Sequence, residues 1–347
     1  MNTKKINLLN LTLQELEAFI LEIGEKKFRA TQIFEWLHQK KIVFIEEMSN
    51  LSKPFREKLE TLCYIPQIEV IREQLDEEDG TQKMLYRFDD RQYAETVRMV
   101  YEHGHSVCIS SQVGCRMGCT FCASTLGGLT RHLSAAEMLL QIYELERRYG
   151  PIHSVVVMGM GEPFDNYEEL LRFIEIINHP KGRNLGARHI TVSTCGLVDK
   201  IKDFADKELQ VNLAISLHQA TQEKRAAIMP IARKYNLEQL REACLYYVEK
   251  TNRRLTFEYG LIENQTDLIS DAEALIHFCQ GLLCHVNLIP INPVVERTQK
   301  APDKARQYSF KNSIEKAGIP VSLRRTLGKN IDAACGQLRK KEEEICK

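Results

Sequence analysis

Three cysteines are spaced to do metal chemistry: Cys115-Arg-Met-Gly-Cys119-Thr-Phe-Cys122 brings three thiols into one short segment. Thiolate sulfur is the preferred ligand of iron–sulfur centres, and three thiolates can hold three irons of a cubane cluster. The fourth iron is then open to a small chelating ligand that offers an amino and a carboxylate group. A structural zinc site with Cys108 as fourth thiolate is the competing assignment. Zinc sites usually pair two Cys-x-x-Cys knuckles across a longer loop, and no second knuckle stands here. On these residues alone, a zinc-stabilised RNA-binding protein without catalysis stays open as the alternative.

A second chemically suggestive run is Met158-Gly159-Met160-Gly161-Glu162-Pro163. Glycines let backbone approach a ligand closely, and a carboxylate or carbonyl can accept hydrogen bonds from an ammonium group. On its own the run is equally a tight turn between a strand and a helix.

The elements around these residues alternate. Apolar β-branched runs at 107–110, 154–158, 189–193, 211–217, 255–259 and 286–290 read as strands. Helical patterns lie between them, one opened by a Ser134-x-x-Glu137 capping box and another spanning 168–177. Near-continuous apolar strands separated by helices imply a parallel sheet covered by helices, here a partial (β/α)6 barrel with chemistry at the C-terminal strand ends. Before this core, the spacing predicts short helices over about 1–64, the first capped by Thr12 and Glu15 and ended by Gly24. Alternating segments with turns at Asp79-Gly80 and Asp89-Asp90 then predict a β-extension over 65–100. The core follows over 101–330, with a C-terminal segment at 331–347.

Composition narrows the class. The 347 residues are 44% hydrophobic and 27% charged, as in an ordinary globular protein. Lys plus Arg and Asp plus Glu both total 47, so no global basic field advertises nucleic acid. Local basic runs do exist: Lys26, Lys27, Arg29, Lys40 and Lys41 near the start, Arg324-Arg325, and Arg339-Lys340-Lys341. No apolar run approaches the ~20 residues needed to span a membrane, and the start lacks the pattern of a signal peptide. Eleven cysteines in a chain read as cytoplasmic point to metal binding or reaction chemistry rather than a disulfide framework.

The C-x-x-x-C-x-x-C spacing, with an aromatic residue before the last cysteine, resembles the signature of the radical S-adenosylmethionine (SAM) superfamily. The Gly161-Glu162 run after the second core strand resembles that superfamily's glycine–glutamate motif. The resemblance narrows with Cys108-Ile-Ser-Ser-Gln-Val-Gly-Cys115, Ser216-Leu217-His218, Ile291-Asn292-Pro293 and Asp332-Ala-Ala-Cys335-Gly-Gln-Leu338, all in order. Together they look like the radical SAM adenine methyltransferases of 23S ribosomal RNA, over essentially the whole chain. The loop from Cys122 to Arg131 and Val113 before Gly114 look closer to members that methylate adenine carbon 2. Members that methylate carbon 8 and confer ribosomal antibiotic resistance are the near alternative. Some carbon-2 members also act beside the tRNA anticodon.

The resemblance implies one 4Fe–4S cluster on Cys115, Cys119 and Cys122. It implies two SAM molecules per turnover, one as methyl donor and one as radical source. It makes Cys335 the methyl acceptor, passing through S-methylcysteine. Cys108 becomes the base and resolving thiol, forming a transient disulfide with Cys335, and Glu95 a proton acceptor. SAM contacts fall to Gly161, Glu162, Ser193, Ser216, Leu217, His218 and Asn292. The partners implied are 23S rRNA, free or assembling, with tRNA as a second RNA, and an external electron donor such as flavodoxin or ferredoxin. The helical unit at 1–64 becomes a candidate RNA-docking domain.

Overall fold

A computed structural model describes residues 5–291, 298–325, 327–328 and 330–331. Its centre is a ten-stranded sheet in which spatial order repeats chain order. Glu69–Leu75, Gln82–Arg87, Tyr93–Tyr101 and Gly104–Cys108 form an antiparallel meander. From Gly104–Cys108 onward the strands are parallel: Ser154–Val157, Ile190–Thr194, Asn212–Ser216, Leu255–Leu261, Cys284–Pro290 and Val321–Leu323. The six-strand expectation therefore holds, with one three-residue strand added at the far edge. The outer strands do not pair with each other, so the barrel is partial.

The capping boxes form as read. Thr12 Oγ1 accepts from the Glu15 N–H and Glu15 accepts from the Thr12 N–H, opening helix Leu13–Glu22. Ser134 and Glu137 do the same for helix Ala135–Tyr149. That helix covers the outer face of the sheet, where Thr96 Oγ1 donates to Gln141 Oε1 at 2.8 Å. Met84, Tyr86, Ala94 and Val107 point to the same side and join the main core.

Helices Phe28–Glu35 and Lys53–Leu62 complete the N-terminal unit, which shares its core with the sheet domain. Leu8, Leu16 and Phe34 belong to one continuous cluster with Tyr143 and Phe173. Polar ties reinforce it: the Ala136 N–H donates to Asn10 Oδ1 at 2.9 Å, and Arg172 pairs with Glu15.

The opposite face of the sheet looks into the partial barrel. Register pairs Lys83 with Val97, Val97 with Cys108 and Cys108 with Val156, so these side chains form one row across four strands. Glu95 and Met99 flank Val97 along its strand, on the same face. Cys115 does not directly follow the first core strand. A short strand, Gln112–Gly114, intervenes and pairs with Leu129–His132, closing the cysteine loop at its base.

Candidate active site

At the C-terminal strand ends lies a cavity of about 310 Å³. Cys108, Cys122, Phe121, Met158 and His218 line it, with Arg324 and Arg325 at its edge. A cavity of this size accommodates a small-molecule ligand.

The cysteine loop forms one wall. Cys115 and Cys119 are buried and Cys122 is half-buried. The Thr125 hydroxyl donates to the carbonyls of Cys119 (3.1 Å) and Cys122 (2.9 Å), and the Thr120 N–H donates to the Ile228 carbonyl (2.9 Å). Burial pushes the Cys115 thiol up to about 12 and raises Cys119 as well. Unmetallated, these thiols therefore stay protonated, and metal binding must release their protons. The Thr120 and Ser124 hydroxyls of this loop are buried without a partner. Orphan hydroxyls beside three thiols fit a group that brings its own acceptors, as the sulfides of an iron–sulfur cluster do. Among the described residues, no three His, Cys, Asp or Glu side chains are grouped to hold a single metal ion. Three thiols on one loop, with hydroxyls beside them that lack an acceptor, form a donor set that suits an iron–sulfur cubane.

The glycine–glutamate run packs against the segment before this loop. A Cβ on Gly159 would sit 2.7 Å from the Ile109 carbonyl carbon, and one on Gly161 would sit 2.6 Å from Gln112 Cβ. Gly161 also has φ +108°, a region side chains avoid. Glu162 is buried, and burial raises its pKa. Its carboxylate accepts from the Cys195 N–H at 2.7 Å and the Phe164 N–H at 3.0 Å. The side chain thereby ties two strand ends together.

Ser193 and Ser216 meet at 3.2 Å between their hydroxyls on adjacent parallel strands. Leu217 is buried, and His218 follows at φ +54°. His218 Nδ1 accepts from the Gly260 N–H at 2.9 Å, which places the ring proton on Nε2. Phe121 packs edge-on to the ring, with centroids 4.7 Å apart. Burial lowers the His218 pKa to about 3, so the ring is a neutral donor at physiological pH.

Sequence reasoning missed Arg225. Its guanidinium is buried and donates to the carbonyls of Cys195 (2.7 Å) and Leu217 (3.2 Å), clamping the loops that carry these groups. A helix-borne arginine whose partners are backbone carbonyls leaves no pairing signal in sequence. Lys83 was missed for a similar reason. Its Nζ lies 2.9 Å from Glu95 Oε2, both side chains are essentially inaccessible, and the pair is made by register alone. Thr81, on the cavity wall, has a buried hydroxyl without a partner.

The structure thus brings Cys108, Cys122 and His218 to one cavity and sets Glu95 on the same sheet face as Cys108. Asn292 and Cys335 lie outside the described residues. The N-terminal basic run is smaller than its composition suggests. Lys41 pairs with Glu146 at 3.1 Å and Lys27 with Glu17 at 2.9 Å, while Lys26 and Lys40 stay exposed.

Comparison with known proteins gives concordant matches. Residues 6–65 match the ribosomal RNA large subunit methyltransferase N-terminal domain, and residues 109–279 the radical SAM superfamily. The probable dual-specificity RNA methyltransferase RlmN of Lachnospira eligens is 49% identical over 96% of each chain. The Bacillus subtilis protein of the same name is 47% identical, covering 99% of this chain and 96% of its own. The crystal structure of a radical SAM methyltransferase from Sphaerobacter thermophilus superposes with a TM-score of 0.91 at 42% identity, covering 96% of this chain and 98% of that one.

Proposed function

The chain belongs to the RlmN family of radical SAM RNA methyltransferases, and on that premise we propose that it methylates carbon 2 of one adenine in 23S rRNA and of an adenine beside the tRNA anticodon. The observation that carries this reading is the sharing of one cavity by Cys108 and Cys122, the thiol given the substrate proton and a thiol given the cluster.

Adenine carbon 2 is an electron-poor carbon and does not attack the methyl group of SAM, so a polar transfer fails. The 4Fe–4S cluster, held by Cys115, Cys119 and Cys122, supplies the electron for reductive SAM cleavage when bound. Everything else falls to the chain. Gly161, Glu162, Ser193, Ser216, Leu217, His218 and Asn292 hold SAM, with neutral His218 offering its Nε2 proton as a donor.

Cys335 acts first as a nucleophile. Its sulfur bonds to the methyl carbon as the sulfonium bond of SAM breaks, and the thiol proton leaves. Once that carbon has given a hydrogen atom to the deoxyadenosyl fragment of a second SAM and joined adenine carbon 2, Cys108 removes the proton from carbon 2 and passes it to Glu95, the one surplus electron being one that the cluster would take back. The Cys108 sulfur then attacks the Cys335 sulfur. The carbon–sulfur bond breaks, its electron pair stays on the former methyl carbon, and protonation gives the product methyl group. A disulfide remains, which an external donor of the flavodoxin or ferredoxin kind reduces.

Arg324 and Arg325 at the cavity edge, with Lys26 and Lys40 on the N-terminal unit, offer phosphate contacts. We assign residues 1–64 to RNA docking, 101–330 to the catalytic core and 331–347 to delivery of Cys335, acting in the cytoplasm. A target base enters by being splayed out of its RNA stack.

The test is anaerobic reconstitution with iron and sulfide, incubation with SAM alone, and mass mapping of every cysteine peptide. One methyl on Cys335, followed by 2-methyladenosine in digests of added 23S rRNA and tRNA, supports the assignment. 8-Methyladenosine would overturn the regiochemistry. A SAM-cleaving enzyme with Cys335 unmodified would overturn the two-step route.

A further inference from the structure

The turn joining strands Glu69–Leu75 and Gln82–Arg87 binds a chain segment about 250 residues away. Asp76 Oδ2 accepts from the Asn330 N–H and Asp76 Oδ1 from Asn330 Nδ2, both at 3.1 Å. Asp79 Oδ2 accepts from the Gly328 N–H at 2.8 Å. Each carboxylate also secures the turn itself, Asp76 through the Glu78 N–H (3.1 Å) and Asp79 through the Thr81 N–H (2.8 Å). Asp76 is only 1% exposed. A self-contained turn needs the second set of bonds but not the first.

The held segment begins at the catalytic cavity. Leu327 packs with Cys108, Val97 and Met99. Gly328 then turns at φ +65°, and Asn330 lands on Asp76. Thr81, the last residue of the turn, lines the same cavity. Cys335 stands four positions after Ile331, a span of at most about 14 Å. Fixing Gly328 and Asn330 therefore fixes the origin of a short tether that ends in the thiol assigned as methyl acceptor.

We propose that the Asp76–Thr81 turn is the dock that presents the Cys335 segment to the cavity, with Asp76 and Asp79 as positioning residues. The proposal rests on the assignment of Cys335 as methyl acceptor. Two aspartates accepting from backbone N–H groups make directional bonds, which suits the fixing of a segment at one place.

The experiment uses reconstituted holoenzyme in four forms: wild type, Asp76→Ala, Asn330→Ala and the double variant. Two rates are read by mass mapping: methylation of Cys335 by SAM without RNA, and alkylation of Cys335 by iodoacetamide relative to the other cysteines. Loss of bonds to a charged acceptor predicts methylation slowed about tenfold or more in Asp76→Ala, and slowed in Asn330→Ala, which leaves the turn intact. The double variant should be no slower than Asp76→Ala, because both changes break one contact. Relative alkylation of Cys335 should change in both single variants. Wild-type rates in Asn330→Ala, or effects that simply add in the double variant, would overturn the proposal and leave Asp76 a turn residue. A wild-type enzyme not methylated on Cys335 sinks the functional assignment instead. The alkylation arm then decides the docking by itself.

Discussion

Lys83→Met tests the chemistry of the inner sheet face most directly. The substitution keeps a long apolar stem but removes the ammonium that sits 2.9 Å from Glu95, where the two side chains are 0% and 2% exposed. A buried carboxylate that loses an ion-pair partner costs up to roughly 3–5 kcal/mol, because its desolvation is less well offset. Spread over 347 residues at about 2.1 cal/mol/K each, that is a fall in Tm of roughly 4–7 °C. Lys83→Met combined with Glu95→Leu removes both charges and should return to within about 2 kcal/mol of wild type. Anaerobic thermal unfolding of wild type, both single variants and the double variant closes the cycle. Lys83→Met should also lose RNA methylation, since Glu95 would lose the ammonium that positions it on the sheet face it shares with Cys108. A Lys83→Met penalty below about 1 kcal/mol, with a double variant equal to the sum of the singles, would refute the reasoning.

Three other outcomes follow from the same geometry. His218 and His38 are buried, and burial lowers each to about 3, so the folded state binds fewer protons than the unfolded one, where histidine titrates near 6.5. Their contribution is complete above about pH 6.5 and is lost as pH falls toward 3, with roughly 3 kcal/mol going between pH 6.5 and 5.0 for the pair. Urea midpoints at those two pH values should show about half that slope in His38→Gln, and an unchanged slope would contradict the assignment. Gly159→Ala forces a methyl against the Ile109 carbonyl and should abolish SAM binding, read by equilibrium dialysis with labelled SAM. Cys119→Ser should yield colourless protein with iron near background after reconstitution, whereas Cys195→Ser should keep its iron.

Much of this was legible in the chain because the signals are local. Each capping box is a short-range pattern, and both formed as read. The apolar strand runs were uniform enough to show a parallel core. The cysteine spacing and the glycine–glutamate run were legible because close backbone approach and iron ligation both demand particular residue types. What escaped was non-local. The Lys83–Glu95 pair depends on the register between two strands, the Arg225 clamp on carbonyls from two separate loops, and the docking of Asn330 on Asp76 on chain closure across most of the sequence. The strand Val321–Leu323 is too short to show periodicity. Lys41 reads as part of a basic surface run, yet it serves the buried Glu146.

The strictly sequential strand order has a consequence for synthesis. The meander from Glu69 to Cys108 needs only neighbouring hairpins, so it can close early and expose Gly104–Cys108 as a single edge. Each later strand pairs with the one before it, so every new strand leaving the ribosome finds its partner already in place. Among the described residues, each strand added to this sheet after the meander finds an earlier neighbour, and the growing sheet extends from one edge. Gly328 and Asn330, which grip the first turn of the meander, are made after every strand of this sheet. The first turn of the meander therefore gains its long-range bonds only after the last strand of the sheet has been made.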